Sequence, residues 1–304
     1  MAVFWGDTPG SLAGKQQGGS QTVLGTDDEQ NTLWGDAGFQ ITDNARGGDD
    51  ILVGGTVHAG GTFNNFIFGD SEDLSGKAQG GNDTLTGGNQ DQSSSAAVIQ
   101  NHLYGDAFNI FGFARGGDDR ISGMSSNSNV NGVVLNELFG DGESLSGKAL
   151  GGNDTVIGGN SSGTNSDVMN LIFGDGRDMS DAAKGGDDVL IAGTGNFALN
   201  PQAVSNSMVG DANVMSGLAK GGADTFVFHD DGSMTVGTNN AIGDFSQSQH
   251  DKIMFIGVAG VATFADLTFD TTTELGSTIV HAGADAVRLV GFTGTLTEHD
   301  FLFG

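Results

Sequence analysis

Short runs of apolar and β-branched residues, bounded by glycine, recur along most of the chain. The run Thr84, Leu85 and Thr86, which ends at Gly87, is typical. Runs of this length and polarity are the pattern of β-strands, and residues 1–224 contain no apolar stripe at helical spacing. We therefore expect an all-β protein built from many short strands.

Two motifs alternate along the chain. Asn-x-apolar-aromatic-Gly-Asp occurs at 31–36, 65–70, 101–106, 136–141 and 170–175, and again without its aromatic residue at 206–211. Ala-x-Gly-Gly-x-Asp-x-apolar occurs at 45–52, 78–85, 114–121, 149–156, 183–190 and 219–226. The aspartates of the second motif recur at steps of 33, 36, 35, 34 and 36 residues, so one repeat is about 35 residues long. Such repeats predict a parallel β-solenoid, similar to a β-roll, in which short strands pair from coil to coil.

The two motifs are held at a fixed spacing, whereas the segment that returns to the next repeat varies in length. The step from the asparagine to the aspartate of the second motif is 18 residues in each of the last five repeats, as between Asn101 and Asp119. The return segments contain polar stretches such as 89–95 and 125–131, followed by short apolar pairs. We expect fixed geometry around the motifs and loops in the return segments, gathered on one side of the solenoid.

The aromatic position of the first motif, together with Trp5 near the N-terminus, makes up an aromatic stripe. Its residues are Trp5, Trp34, Phe68, Tyr104, Phe139 and Phe173. Each of these residues follows an apolar residue by one position, so in a flat strand it points outward. The favoured interpretation is a stacked ladder buried under the return segments. The alternative is an exposed stripe that binds sugars, a surface or a second copy of the chain.

The net charge of the chain indicates that this repeat protein needs a bound cation to fold. The 304 residues include 54 glycines, no cysteine, 11 Lys and Arg and 38 Asp and Glu, for a formal net charge of -27. Such a charge opposes compaction until positive charge is bound. The few basic residues argue against a nucleic-acid partner. One basic residue per repeat, just before the Gly-Gly pair, predicts local charge balance; these residues are Lys15, Arg46, Lys77, Arg115, Lys148, Lys184 and Lys220.

The Gly-Gly-x-Asp turn has the chemistry of a calcium site. Calcium takes six to eight oxygen ligands from carboxylates and carbonyls. Consecutive glycines can adopt positive φ and point carbonyls inward, while the aspartate supplies charge. The candidate ligands are Gly47, Gly48, Asp50, Gly80, Gly81, Asp83, Gly116, Gly117, Asp119, Gly151, Gly152, Asp154, Gly185, Gly186, Asp188, Gly221, Gly222 and Asp224.

The aspartates of the first motif are a second candidate set, with an alternative interpretation. They are Asp36, Asp70, Asp106, Asp141, Asp175 and Asp211. Each could bind calcium, or it could accept a hydrogen bond from the basic residue of its repeat. The asparagine of the same motif could ligate calcium weakly or form a ladder of stacked asparagines.

The residues Gly-Gly-Asn-Asp-Thr-Leu-Thr-Gly-Gly at 80–88 resemble the hemolysin-type calcium-binding repeat of RTX proteins, G-G-x-G-x-D-x-U-x. Gly81 matches the fourth position, Asp83 the sixth and Leu85 the apolar U. The first glycine of that repeat is replaced by Ala78 and the third position by Gly80. The resemblance implies calcium as the cofactor, bound at the aspartates of the second motif. Family repeats follow every nine residues, whereas these recur every ~35, so a coil wider than a β-roll is expected.

The repeat ends after Asp224, and glycine becomes less frequent in residues 225–304. We expect residues 1–224 to form the solenoid and residues 225–304 to cap it. Sequences in this stretch, among them the terminal run ending at Gly304, resemble the C-terminal region of proteins exported by bacterial type I secretion. The N-terminus has neither the basic nor the long apolar region of a cleaved signal peptide. The resemblance therefore implies export through type I secretion machinery.

These features together predict a secreted, non-enzymatic calcium-binding protein that acts as a structural or adhesive element of a cell surface, surface layer or extracellular matrix. Neither a histidine pair at metal-ligand spacing nor a nucleophile-elbow motif points to an enzyme. The partners expected are calcium and either a second copy of the chain or a cell-surface polysaccharide. No apolar run reaches the ~20 residues of a membrane span. The alternatives are carbohydrate binding through the aromatic stripe and interaction with a host membrane, as in some RTX toxins.

Overall fold

A computed structural model describes residues 1–91, 96–195, 203–230 and 240–304. Nearly all regular structure in these residues is β-strand, and the strands stack in parallel from coil to coil around a common interior. The predicted parallel β-solenoid with a repeat of about 35 residues is therefore confirmed. Residues 92–95 of the predicted loop at 89–95, and residues 231–239 of the predicted C-terminal region, lie outside the described residues.

The longest face, here called face A, has 11 strands and carries the first motif. Its parallel register pairs like with like, so that Asn101 lies opposite Asn136 and Tyr104 opposite Phe139. Its strands, in spatial order, are Ala2–Trp5, Asn31–Trp34, Gly61–Phe68, Ala97–Tyr104, Gly132–Phe139, Ser166–Phe173, Val204–Val209, Asn240–Ile242, Asp285–Leu289, Thr278–Ala282 and Leu267–Asp270.

Face B follows the Gly-Asp pair of each repeat and has 7 strands. These are Ser11–Leu12, Gln40–Ile41, Ser71–Leu74, Ala107–Ile110, Gly142–Leu145, Gly176–Met179 and Ala212–Met215. Face C follows the Gly-Gly-x-Asp turn and has 9 strands. These are Thr22–Leu24, Ile51–Val53, Thr84–Thr86, Arg120–Ser122, Thr155–Ile157, Val189–Ile191, Thr225–His229, Lys252–Ile256 and Phe301–Phe303.

The return segments are more regular than expected. The apolar pairs Val98–Ile99 and Val133–Val134 lie within strands of 8 residues on face A rather than in loops. The polar stretches stack as well, because Asn89–Gln90 pairs in parallel with Ser125–Ser126. The expectation of loops is therefore wrong for these parts, since these described stretches find main-chain partners in the neighbouring coils.

Parallel stacking continues past Asp224 through Thr225–His229 and Lys252–Ile256 on face C. The end of face A differs, because Leu267–Asp270, Thr278–Ala282 and Asp285–Leu289 pair with each other antiparallel. Two short 3-10 helices, Phe264–Asp266 and Glu298–Asp300, lie in the same region. The division of the chain at residues 224 and 225 stays a prediction. In the described residues, no helix has the length and apolar character that crossing a membrane requires.

The interior contains separate apolar columns. One is formed by the central residues of faces A and C, such as Leu103 and Ile121, which are fully buried. A second is formed by face B and the alanine of the second motif, such as Ile110 and Ala114. Each buried aliphatic side chain contributes roughly 1.5–3 kcal/mol to folding. The polar column described next runs along the same interior.

Candidate metal centre

All twelve aspartates of the two candidate sets lie inside the solenoid. Each is between 0% and 3% exposed, although carboxylates are rarely buried without a compensating charge. We call them together the carboxylate column. It comprises the Gly-Asp series, Asp36, Asp70, Asp106, Asp141, Asp175 and Asp211, and the turn series, Asp50, Asp83, Asp119, Asp154, Asp188 and Asp224.

The turn series is linked from coil to coil by hydrogen bonds. The main-chain N–H of Asp83 donates to Oδ1 of Asp119 at 2.6 Å, and the N–H of Asp119 donates to Oδ1 of Asp154 at 2.7 Å. The same bond joins Asp50 to Asp83 and Asp154 to Asp188. One oxygen of each carboxylate therefore accepts a hydrogen bond from the backbone of the preceding coil, and the other oxygen accepts none.

The Gly-Asp series links the two motifs within a coil. The N–H of Gly117 donates to Oδ1 of Asp106 at 2.8 Å, and the N–H of Gly152 donates to Oδ1 of Asp141 at 2.8 Å. These bonds span the constant segment from the asparagine to the turn aspartate. The first repeat has one residue more between its asparagine and its turn aspartate, and it keeps a bond of the same kind, from the N–H of Gly48 to Oδ2 of Asp36 at 2.9 Å.

The glycines of both motifs provide room for the carboxylates. A Cβ atom on Gly105 would overlap Oδ2 of Asp119 and the carbonyl oxygen of Gly140. Each of the Gly-Gly pairs lies outside the positive-φ region, so the expectation of left-handed glycines at the turn is wrong. Positive φ occurs instead four residues before the first glycine of the pair, as at Gly76 and Gly112. These glycines lie in the turn that follows face B.

The most distinctive feature of the site is the set of buried carboxylate oxygens that have no hydrogen-bond partner. The atoms that are buried without a hydrogen-bond partner include Oδ2 of all six turn aspartates. Four members of the Gly-Asp series also keep one such oxygen: Oδ1 of Asp36 and Oδ2 of Asp106, Asp141 and Asp175. A buried polar group without a partner costs about 1–3 kcal/mol, and more when it is charged. Ten such atoms lie in one column, and each is an acceptor open to a cation or to a proton donor.

Burial and mutual repulsion raise the pKa values along the column. Burial raises the pKa of Asp36 to about 8, and the nearby charge of Asp50 adds to this. Burial raises the pKa of Asp141 to about 7 and that of Asp224 to about 10. The pKa of Asp119 is also well above its usual range because of burial. At neutral pH the column therefore holds its full negative charge only with positive charge beside it.

That positive charge does not come from the basic residue of each repeat. Lys15, Arg46, Lys77, Arg115, Lys148, Lys184 and Lys220 are all exposed. The ion pairs of the described residues, such as His102 with Glu137, include none of these seven residues and none of the column. The alternative in which these residues donate to the Gly-Asp series is therefore wrong, whereas local charge balance at the exposed turn stays a prediction.

The asparagines of the first motif form the neutral counterpart of the column. Nδ2 of Asn101 donates to Oδ1 of Asn136 at 3.1 Å, and Nδ2 of Asn136 donates to Oδ1 of Asn170 at 2.9 Å. Oδ1 of Asn136 also accepts from the N–H of Met124 at 2.9 Å. Of the two possibilities raised for these asparagines, the structure has the ladder. An amide both donates and accepts, so this ladder satisfies itself without added charge.

The aromatic stripe forms a stacked ladder, as favoured from the sequence. Neighbouring rings from Phe68 to Phe173 lie 4.9–5.0 Å apart between centroids, with planes within 9°. These rings are at most 6% exposed, whereas Trp5 at the end of the ladder is 43% exposed. The side chains that contact the rings from outside include Arg177, over Phe139, and Phe108, edge-on to Tyr104. Cover by side chains of face B was not anticipated.

The residues present fit calcium better than a metal held only by side chains. Among the described residues, no group of three or more His, Cys, Asp or Glu side chains forms a metal cluster. The column instead offers unpartnered carboxylate oxygens beside main-chain carbonyls, as at Asp119 Oδ2 and the carbonyl of Gly140, which border the same space at Gly105. Calcium accepts such mixed oxygen ligands in irregular geometry.

Two further aspartates extend the column and were missed in the sequence. Oδ1 of Asp244 accepts from the N–H of Gly210 at 2.9 Å, and burial raises its pKa to about 6. Oδ1 of Asp251 accepts from the N–H of Asp224 at 3.2 Å, and burial raises its pKa to about 7. The pair Gly243-Asp244 was the available signal for the first. Asp251 lacks the preceding Gly-Gly pair that marks the turn series.

Comparison with protein-family models found no match to this chain. A search of curated proteins found no match either.

Proposed function

We propose that this chain is a calcium-dependent structural protein, whose solenoid is completed by cations bound along the carboxylate column. The observation that carries the proposal is the set of ten buried carboxylate oxygens without a hydrogen-bond partner. The neutral asparagine ladder is built on the same coils and leaves no comparable deficit. A cation supplies the charge that the aspartates need, because neither solvent nor the seven basic residues of the repeats reach them.

The residues that would hold calcium come from two successive coils. In the middle of the array they are Oδ2 of Asp119, the free oxygens of Asp106 and Asp141, and the carbonyl of Gly140. Asp106 and Asp141 meet at Gly116, where a Cβ atom would overlap both carboxylates. When bound, calcium supplies positive charge and six to eight coordination positions for oxygen. Each ion would join neighbouring coils and so favour the folded array.

A cation requirement of this kind suits a protein that acts outside the cell. Calcium sites of extracellular modules bind at roughly 10⁻⁴–10⁻³ M, so they fill where calcium is abundant and stay empty where it is scarce. A chain with a formal charge of -27 would remain unfolded until export and fold on arrival. We propose secretion through type I machinery and a non-enzymatic role as a structural or adhesive element of a surface layer or matrix.

Direct titration of calcium into the cation-free protein tests the proposal. Calorimetry should give several ions per chain, with binding coupled to a gain of β-structure. Magnesium should substitute poorly, because it demands a regular octahedral geometry and gives up water reluctantly. A stoichiometry of zero or one ion per chain would show that the column is neutralised by protons instead.

A further inference from the structure

The basic residues that do not neutralise the column form a line on the outside of the solenoid. The position just before each Gly-Gly pair stacks in parallel register, with Arg46 opposite Gln79 and Gln79 opposite Arg115. In the repeat between the two arginines the basic residue is Lys77, two positions earlier. Because neighbouring strands lie about 4.8 Å apart, one positive charge recurs at each such step along this edge.

A groove runs across this line in the second to fourth coils. It has a volume of about 330 Å³ and is lined by Asn44, Arg46, Lys77, Gln79, Phe113 and Arg115. We call it the cationic groove. Its lining contains three cations, two carboxamides and an aromatic ring, and no carboxylate. Phe113 is 56% exposed, and Nζ of Lys148 lies 5.3 Å from the centre of its ring, which adds a fourth cation at one end.

A polar ladder borders the groove at the residue after each Gly-Gly pair. The N–H of Asn82 donates to Oδ1 of Asp49 at 2.9 Å, and the N–H of Asp118 donates to Oδ1 of Asn82 at 2.8 Å. The ladder continues to Asn153, so acid and amide alternate. These side chains are exposed and can accept or donate further hydrogen bonds to a ligand. Their acids also repel a partner whose negative charges are closely packed.

We propose that the cationic groove binds an acidic polysaccharide, with a carboxylate on its sugar units. Arg46 and Arg115 present planar guanidinium groups that suit bidentate contact with a carboxylate. Asn44 and Gln79 match sugar hydroxyl groups, and Phe113 offers an apolar surface to a sugar ring. The combination of sparse positive charge, carboxamides and bordering acids favours a hydroxyl-rich polymer over nucleic acid. None of these residues belongs to the carboxylate column, so the groove is tested on the folded protein whatever cation the column holds.

The groove also changes where carbohydrate would bind. Sugar binding by an exposed aromatic stripe was the alternative interpretation of the sequence, but its rings from Phe68 to Phe173 are buried. Phe113 belongs to a different position in the repeat and is exposed beside the cations. Binding at the groove therefore leaves the ladder intact.

Calorimetric titration with tri-galacturonic acid tests the proposal, with maltotriose as the neutral probe and a short oligothymidylate as the alternative polyanion. The matched variants are Arg115→Gln in the groove and Arg120→Gln on face C, which remove the same charge five residues apart. Circular dichroism of both variants checks that they fold alike. Loss of a charged hydrogen bond should weaken binding by about ten-fold or more in Arg115→Gln. In Arg120→Gln the change should be within about two-fold.

Saturable binding of tri-galacturonic acid, weak or no binding of maltotriose, and loss confined to Arg115→Gln would support the groove. No binding of tri-galacturonic acid to the folded wild-type protein would overturn it. Equal losses in the two arginine variants would attribute the effect to net charge and overturn it as well. Tighter binding of the oligothymidylate would assign the line of cations to nucleic acid instead.

Discussion

Asp118 and Asp119 are adjacent in the chain and lie on opposite sides of the solenoid wall. Oδ1 of Asp118 is in the exposed ladder and accepts from the N–H of Asn153 at 2.8 Å. Oδ1 of Asp119, which is 3% exposed, accepts from the N–H of Asp83 at 2.6 Å. The two carboxylates make the same kind of bond to a neighbouring coil, and they differ in burial and in the free oxygen of Asp119.

This pair gives a matched test of the carboxylate column. Asp119→Asn keeps the bond from Asp83 but removes a buried charge, so calcium stoichiometry and the melting temperature in calcium should both fall. Loss of one site filled at 100 times its Kd would cost about 2.7 kcal/mol. In calcium-free buffer, where the wild-type chain is expected to be largely unstructured at pH 7, the same change should increase the folded fraction, because the folded state no longer has to bury that charge or take up a proton to neutralise it.

Asp118→Asn is the control and should change stability by no more than about 0.5 kcal/mol in either buffer. Calorimetry and thermal melts monitored by circular dichroism measure both effects. Destabilisation by Asp119→Asn without calcium would contradict the assignment of Asp119 as a charge that needs a cation.

Stability without calcium should depend on pH in the direction opposite to ordinary acid denaturation. The pKa is about 8 for Asp36 and about 7 for Asp141 in the folded chain, against about 3.9 for an unfolded aspartate. The folded state therefore binds more protons, and its stability falls as pH rises from about 4 to 8. In calcium-free buffer the chain should therefore show more folded structure, and a higher melting temperature where a transition is seen, at pH 5 than at pH 8.

Calcium should remove or reverse this trend, because it replaces the protons. The comparison needs only thermal melts at the two pH values with and without calcium. A cation-free protein that is more stable at pH 8 than at pH 5 would show that the column is not protonated in the folded chain.

The glycines beside the carboxylates should not tolerate a side chain. A methyl group on Gly105 would overlap Oδ2 of Asp119 and the carbonyl of Gly140, so Gly105→Ala should either prevent folding or cost several kcal/mol, on the order of 3 or more. Gly10 is the control, because the nearest atom to its Cβ position is Thr8 Oγ1 at 3.5 Å and its φ is not positive. Chemical denaturation of Gly105→Ala and Gly10→Ala measures the difference, and equal stability of the two would contradict the packing described.

The aromatic ladder should contribute to stability rather than to binding. Phe139 is fully buried between Tyr104 and Phe173, so Phe139→Ala should cost about 3–5 kcal/mol in the calcium-bound protein. Phe111, 40% exposed, is the control, and Phe111→Ala should cost much less. Melting temperature and particle size by light scattering together decide the outcome. Unchanged melting with lost self-association would mean that the ladder acts as an interface.

The repeat in the sequence was enough to predict the solenoid, because identical motif positions stack in register. Tyr104 lies opposite Phe139, and Asn101 opposite Asn136, as a fixed period requires. The fixed period likewise predicts that the turn aspartates stack in one column. It does not predict on which side of the solenoid wall each residue lies. Arg115 precedes Asp119 by four residues, but it is exposed while Asp119 is buried.

Other features depended on contacts that no local pattern encodes. Arg177 covers Phe139 from a later coil, and Asp251 joins the column although no Gly-Gly pair precedes it. The glycine pairs were identified correctly as special positions but for the wrong reason. Their backbone has ordinary φ, and what requires glycine is the close approach of carboxylates from two coils, as at Gly116.

The central claim is that positive charge in the carboxylate column is required for the fold at neutral pH. The most direct measurement is the circular-dichroism spectrum at pH 7 of protein stripped of calcium, recorded before and after calcium is returned. We predict a largely unstructured spectrum without calcium and a β-rich spectrum with it. A β-rich spectrum and an unchanged melting temperature in the stripped protein would contradict the account.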